Sequence, residues 1–167
     1  PQGKSFSGFQ LIDQNQKTLN QESFKGKTSV VFFGFTNCPD ICPTTLMELQ
    51  KVDKLLNDKQ AKPVNMVFVS VDPDRDNPEN LKSYIEYFNP KFTAATGDAA
   101  NLLALASQLG VAYHVAEHDE EQVVYDVDHS SALFLINEQG ERIGIFQAPH
   151  NAATLAADLT LYMEQQS

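Results

Sequence analysis

Only two of the 167 residues are cysteine, Cys38 and Cys42, and they stand four positions apart. A disulfide-stapled scaffold scatters four or more cysteines along its chain, so this protein must stand on a hydrophobic core instead. It has the length for one, because a domain near this size buries roughly 68–70% of its unfolded surface. No apolar run approaches the ~18 residues that a membrane-spanning helix needs, and no signal-peptide pattern is present. Internal repeats and low-complexity linkers are also missing, which leaves residues 1–167 as one expected domain. A hydrophobic content of 42% with 20% charged residues excludes a disordered or fibrous chain.

Positive charge is absent from one long stretch. No Lys or Arg occurs between Lys91 and Arg142. Residues 1–91 balance 11 basic against 11 acidic side chains, whereas residues 92–167 set Arg142 alone against 11 acids. The whole net charge of −10 therefore belongs to the second half. Such a half repels phosphate backbones, which excludes nucleic acid as a partner, and it attracts cations or a basic protein surface.

Hydrophobic periodicity supplies the elements. Residues 9–13 read as a modest strand, and Val30-Val31-Phe32-Phe33-Gly34-Phe35, apolar on both faces, as a central buried one. Leu46, Leu49, Val52, Leu55 and Leu56 form a helical stripe within residues 44–58. A second apolar strand spans 64–71, and Asn77 before Pro78 marks the start of a helix running to about Phe88. Residues 92–96 follow as a short strand, and Asp98 caps a helix over 99–109. Two extended arms, 111–116 and 122–127, flank the acidic turn Glu117–Glu121. Residues 132–136 and 142–147 pair as a hairpin across Asn137-Glu138-Gln139-Gly140, and a last helix covers 152–165. Strand–helix–strand units followed by a terminal hairpin and helix predict an α/β sandwich of thioredoxin type: a mixed sheet flanked by helices, with an N-terminal hairpin and a hairpin insertion before strand 132–136.

The chemistry gathers where the first core strand gives way to a helix, in Thr36-Asn37-Cys38-Pro39-Asp40-Ile41-Cys42-Pro43. The lip outside the carboxyl end of a parallel strand is where open α/β sheets bind ligands. Pro43 suits the first helical position, which makes Cys42 the expected N-cap and puts Cys38 on an exposed loop. The positive end of the helix favours a thiolate at Cys42. Three intervening residues let the two sulfurs approach closely enough to chelate a metal or to oxidise, so both chemistries stay open. A metal needs a third donor, and the chain has His114, His118, His129 and His150. His118 in its acidic turn and His150 beside Pro149 read as solvated side chains. His129, just before strand 132–136, is held in place by the core strand that follows. Asp128 reads as an exposed acid, or as a group orienting His129, and Asp72-Pro73-Asp74 as turn and capping chemistry. Met47 and Met66 read as core packing. Thr36 alone, without a basic residue in the motif, argues weakly for a thiol peroxidase.

The Cys-Pro-Asp-Ile-Cys-Pro stretch preceded by Phe-Gly-Phe-Thr resembles the Sco family of copper-binding, thioredoxin-like proteins. Ser70-Val71-Asp72-Pro73-Asp74-Arg75-Asp76, Asp128-His129-Ser130 and Phe24-Lys25-Gly26-Lys27 resemble further segments of that family. Asn15-Gln16 departs from it, standing where the family usually turns on a glycine. The resemblance implies Cys38, Cys42 and His129 as ligands for Cu(I) and Cu(II), two thiolates for the softer ion and an imidazole that serves both. It implies a monomeric metallochaperone, with thiol–disulfide reductase activity left open, which takes copper from another copper chaperone. Its target would be the copper domain of cytochrome c oxidase subunit II. It further implies a bacterial periplasmic or equivalent extracytoplasmic location and a membrane anchor in the full-length protein. The alternative is a thiol–disulfide oxidoreductase on the same fold, with Cys38 attacking and Cys42 resolving, although redox thioredoxins space their cysteines by two residues.

Metal-free protein is expected to oxidise to an intramolecular Cys38–Cys42 disulfide without loss of fold, since a three-residue loop can meet the Cα separation of about 4.4–6.8 Å that a disulfide requires. Mass spectrometry should show a monomer lighter by two hydrogens with an unchanged far-ultraviolet dichroism spectrum. A disulfide-linked dimer would refute it.

Overall fold

The computed structural model describes residues 4–5, 8–34, 41–58, 64–71, 73, 76–109, 133–146 and 151–165, with the backbone alone at 4–5, 41–44 and 164–165. Its strands are β1 (Lys4–Ser5), β2 (Gln10–Asp13), β3 (Thr18–Asn20), β4 (Ser29–Gly34), β5 (Asn65–Ser70), β6 (Thr93–Thr96), β7 (Leu133–Ile136) and β8 (Glu141–Phe146). Its helices are α1 (Ile41–Asp58), α2 (Pro78–Phe88), α3 (Ala99–Leu109) and α4 (Ala152–Gln165), with one 3-10 turn over Gln21–Phe24. All eight strands join one mixed sheet in the order β1-β8-β7-β4-β5-β6-β2-β3. β4, β5 and β6 run parallel, while β7 pairs antiparallel with both β4 and β8. This is the thioredoxin-like α/β architecture expected from the order of elements, with the β2–β3 hairpin at its N-terminal side. The arms 111–116 and 122–127 lie outside the described residues.

The centre of the sheet is buried on both faces, which explains why β4 and β5 read as continuous apolar runs. Alternate residues feed two cores. Val31, Phe33, Val67 and Val69 meet Leu102, Leu105, Ala106 and Leu109 of α3 on one side. Val30, Phe32, Met66 and Phe68 meet α1, α2 and α4 on the other. There the Phe32 and Phe68 rings meet at a tilt of 41° across the β4–β5 pair, with centroids 5.0 Å apart. Truncating either ring to alanine would cost about 3–5 kcal/mol, the usual range for a buried Phe.

Polar side chains define where the helices begin. Asn77 accepts the Asn80 amide at 2.9 Å ahead of Pro78, as expected from the sequence. Asp98 accepts the Asn101 amide at 2.8 Å and Asn151 the Thr154 amide at 3.0 Å. Gln14 stitches the N-terminal hairpin onto the sheet, donating to the Phe92 carbonyl and accepting the Ala94 amide. In the hairpin turn, Asp13 Oδ1 accepts the amides of Asn15 and Lys17, and Gln16 takes the left-handed conformation with φ of 63°. That is the position where glycine carries no steric penalty.

Replacing Gln16 by glycine should therefore stabilise the protein by about 0.5–1 kcal/mol, the left-handed penalty relieved less the extra chain entropy of glycine. Thermal unfolding should move up by about 2–3 °C for a chain of this size. A fall in the midpoint would show that the Gln16 side chain contributes more than its backbone costs.

Candidate metal centre

Three segments of the chain end at one place in the sheet. β4 runs out at Gly34, whose register partner is Ser70 at the end of β5, and the Val71 amide donates to the Gly34 carbonyl at 2.9 Å. β7 is antiparallel to β4, with Phe134 opposite Val31, so the chain enters β7 at Leu133 on the same side of the sheet where β4 leaves it. α1 begins at Ile41, seven positions after Gly34. The chain carrying Cys38 thus departs from, and the chain carrying His129 arrives at, neighbouring strands at one sheet end. That adjacency of the two strands is the one a thioredoxin-like sheet implies.

Cys38 and His129 themselves lie outside the described residues, as do Thr36, His114, His118, His150, Asp72, Asp74 and Asp128. Cys42 is described in backbone only, and it is the second residue of α1. This corrects the expected N-cap assignment: the helix starts two residues earlier, at Ile41, and Pro43 is its third residue. A proline is tolerated there because the first-turn amides have no intrahelical acceptor. Cys42 still stands in the first turn, where the helix dipole favours negative charge. Among the described residues, no group of three or more His, Cys, Asp or Glu is placed to hold a metal ion.

α1 is fixed to the sheet by its apolar stripe and to its neighbouring helices by polar ties. Leu46, Leu49, Val52 and Leu56 are buried against the sheet. Glu48 accepts the Ala152 amide at 3.0 Å through one carboxylate oxygen and Lys51 Nζ at 3.1 Å through the other. Its negative charge therefore sits on the N-terminus of α4, where an anion is favoured. Further along, the Asn89 side-chain amide at the end of α2 donates to Gln50 at 2.7 Å and to buried Asp53 at 3.0 Å. Apart from the i,i+3 pair of Lys51 with Glu48, none of these partners is signalled by local sequence pattern, because the other contacts join residues 36 or more positions apart. Met66 is buried as expected, but Met47 is 55% exposed and does not belong to the core. It follows Leu46 by 100° around the helix, which turns it away from the buried stripe.

A third polar cluster lies at the sheet end itself. Ser70 Oγ donates to Asp76 Oδ2, and both residues are buried. Thr96 Oγ1, at the end of β6, donates to the Ser70 carbonyl at 3.0 Å.

Residues 2–164 match the SCO1/SenC family. The chain is 38% identical over 138 residues to the SCO2-like protein of Rickettsia felis, covering 83% of this chain and 67% of that protein. It is 36% identical over 149 residues to a putative copper-binding protein of Stutzerimonas stutzeri, covering 89% and 72%. Among solved structures it resembles Bradyrhizobium japonicum ScoI with copper bound, with a TM-score of 0.80 and 35% identity over 95% of this chain and 99% of that one.

Exchanging Glu48 for alanine should cost about 1 kcal/mol, the usual value of a lost helix cap with its charge–dipole contribution, and lower the melting midpoint by about 2–4 °C. Glu48→Gln, which keeps an accepting oxygen for Ala152, should recover part of the loss. Equal midpoints for native and alanine proteins would mean that α4 needs no such cap.

Proposed function

The chain belongs to the SCO1/SenC family, and from that premise we propose that it is a copper metallochaperone serving assembly of the dinuclear copper centre of cytochrome c oxidase. Cys38, Cys42 and His129 hold the ion in this reading. Two thiolates and an imidazole form a donor set suited to Cu(I), and the imidazole lets the same set hold Cu(II). Three protein ligands leave a coordination position open, which is what a protein that passes its metal on requires and what a closed four-ligand structural site lacks. Copper is thus cargo. The observation that carries the reading is the convergence at Gly34, α1 and Leu133. It gives the thiol-bearing and imidazole-bearing segments their origin at one end of adjacent strands.

The acceptor is the copper domain of oxidase subunit II, and the donor another copper chaperone. Work with that acceptor fits an extracytoplasmic domain, periplasmic in a bacterium, tethered to the membrane in the full-length protein. No described helix is long and apolar enough to cross a membrane.

Thiol–disulfide reduction is the second reading, and the place of Cys42 in the first turn of α1 favours it. Cys38 thiolate attacks a disulfide in the target, one target thiolate leaves, and a mixed disulfide forms. Cys42 thiolate then attacks Cys38, releasing the second target thiolate and leaving the Cys38–Cys42 disulfide. The target gains two electrons, and this chain loses them.

Titration of the reduced protein should give one copper per chain, with thiolate-to-Cu(II) charge-transfer absorption in the oxidised complex. Cys38→Ser or Cys42→Ser should abolish that absorption. His129→Ala should weaken binding by more than about tenfold, at least the loss seen when only a ligand's supporting partner is removed. Native stoichiometry, spectrum and affinity in all three variants would remove the site from consideration.

A further inference from the structure

We infer that the buried Asp76–Ser70 pair is a positioning device for the thiol-bearing loop, acting through the strand end from which that loop departs. The inference rests on the assignment of Cys38 and Cys42 as the working thiols.

A carboxylate only 1% exposed is costly to bury unless hydrogen bonds compensate it, and Asp76 obtains one from the hydroxyl of Ser70, itself fully buried. The pair joins the end of β5 to the start of α2, since Asp76 immediately precedes Asn77, the N-cap of α2. Ser70 is held from a second direction by Thr96 at the end of β6. Its backbone lies opposite Gly34, and the next amide, Val71, donates to the Gly34 carbonyl. Three neighbouring strand ends are therefore tied together at the point where the chain enters residues 35–40.

The face is also the relevant one. Side chains alternate along β5, and Ser70 continues the series Met66, Phe68, which packs under α1, α2 and α4. The hydroxyl thus belongs to the face covered by the helix whose first turn contains Cys42. A strand surface needs no charge there. Plain packing would be served by an apolar residue at position 70, as at Met66 and Phe68, and replacing a buried polar pair by apolar groups of similar shape is often close to neutral. The pair's contribution lies in rigidity: it holds the strand end opposite Gly34, the last described residue before the thiol-bearing segment. Pre-organisation of two groups raises their effective concentration toward each other and toward a shared metal.

The test measures the thiols without copper. Reduced protein is equilibrated with glutathione disulfide, so that the protein dithiol becomes a disulfide while one glutathione disulfide becomes two glutathiones. Ser70→Ala should lower the equilibrium constant for Cys38–Cys42 formation by about tenfold, equivalent to about 30 mV for a two-electron couple. Asp76→Asn, which keeps one accepting oxygen for the hydroxyl, should fall between Ser70→Ala and the native protein. Gln14→Ala, which removes a buried bridge between the N-terminal hairpin and β6, serves as the control. It should lower the melting midpoint and leave the equilibrium unchanged. If Ser70→Ala does not fold, Thr96→Val, nearly isosteric and lacking the donor to the Ser70 carbonyl, should shift the equilibrium in the same direction. Equilibrium constants in the Ser70, Asp76 and Thr96 variants that match the native value, or that shift as much in Gln14→Ala, would overturn the inference. Failure of the native protein to take up copper would defeat the chaperone reading and leave this test of the pair intact.

Discussion

The parallel pairing of β4 with β5 is the constraint on which the rest of the molecule depends. Six consecutive residues stay in register, from Ser29 opposite Asn65 to Gly34 opposite Ser70, and nearly every side chain on the two strands is buried. A slip of β5 by one position would turn Phe68 toward α3 and Val67 toward α1, mismatching two differently shaped cores. The register consequently determines where the sheet stops, and the stopping point is where the chain passes into the cysteine-bearing segment. β7 adds to the other edge of β4 in the antiparallel sense and so begins at that same end. Site placement is a consequence of strand order.

Helix α1 carries this rigidity outward. Its apolar stripe seats it on the sheet, Glu48 joins it to the start of α4, and Asp53 joins it to the end of α2. The helix fixed at these points along its length carries Cys42 in its first turn. The dipole at the helix start favours a thiolate, which is the form required for metal binding and for disulfide exchange alike. The helix start therefore favours the thiolate that both the metal-carrying and the thiol-reducing readings need.

Much of this was legible from residues alone, for identifiable reasons. α2 and α3 begin where Asn77 and Asp98 stand because their side chains satisfy amides that the helix leaves open, a signal that is local by nature. β4, β5 and β7 were legible because sheet centres demand apolar residues on both faces. Less was visible where partners are remote. The two-residue β1 pairs with β8 across more than a hundred positions and has no pattern of its own. The turn at Gln16 adopts a glycine-like conformation because Asp13 supplies the hydrogen bonds, not because of the residue at its tip. Met47 was assigned to the core on hydrophobicity, but helix phase decided the matter and exposed it. Nothing in the local sequence marks Asp76 for burial, and only the fold brings Ser70 against it. At the site, the rarity of cysteine and the position of His129 ahead of a core strand marked the candidates. The start of α1 differed from expectation because a proline is accommodated anywhere in a first turn.

The most direct measurement of the central claim is X-ray absorption at the copper edge of the reduced, monomeric protein loaded with one equivalent of Cu(I). The account predicts two sulfur donors and one imidazole nitrogen around each copper, with the nitrogen contribution lost in His129→Ala. A copper shell without sulfur, or one completed only by sulfurs from a second chain, would contradict it.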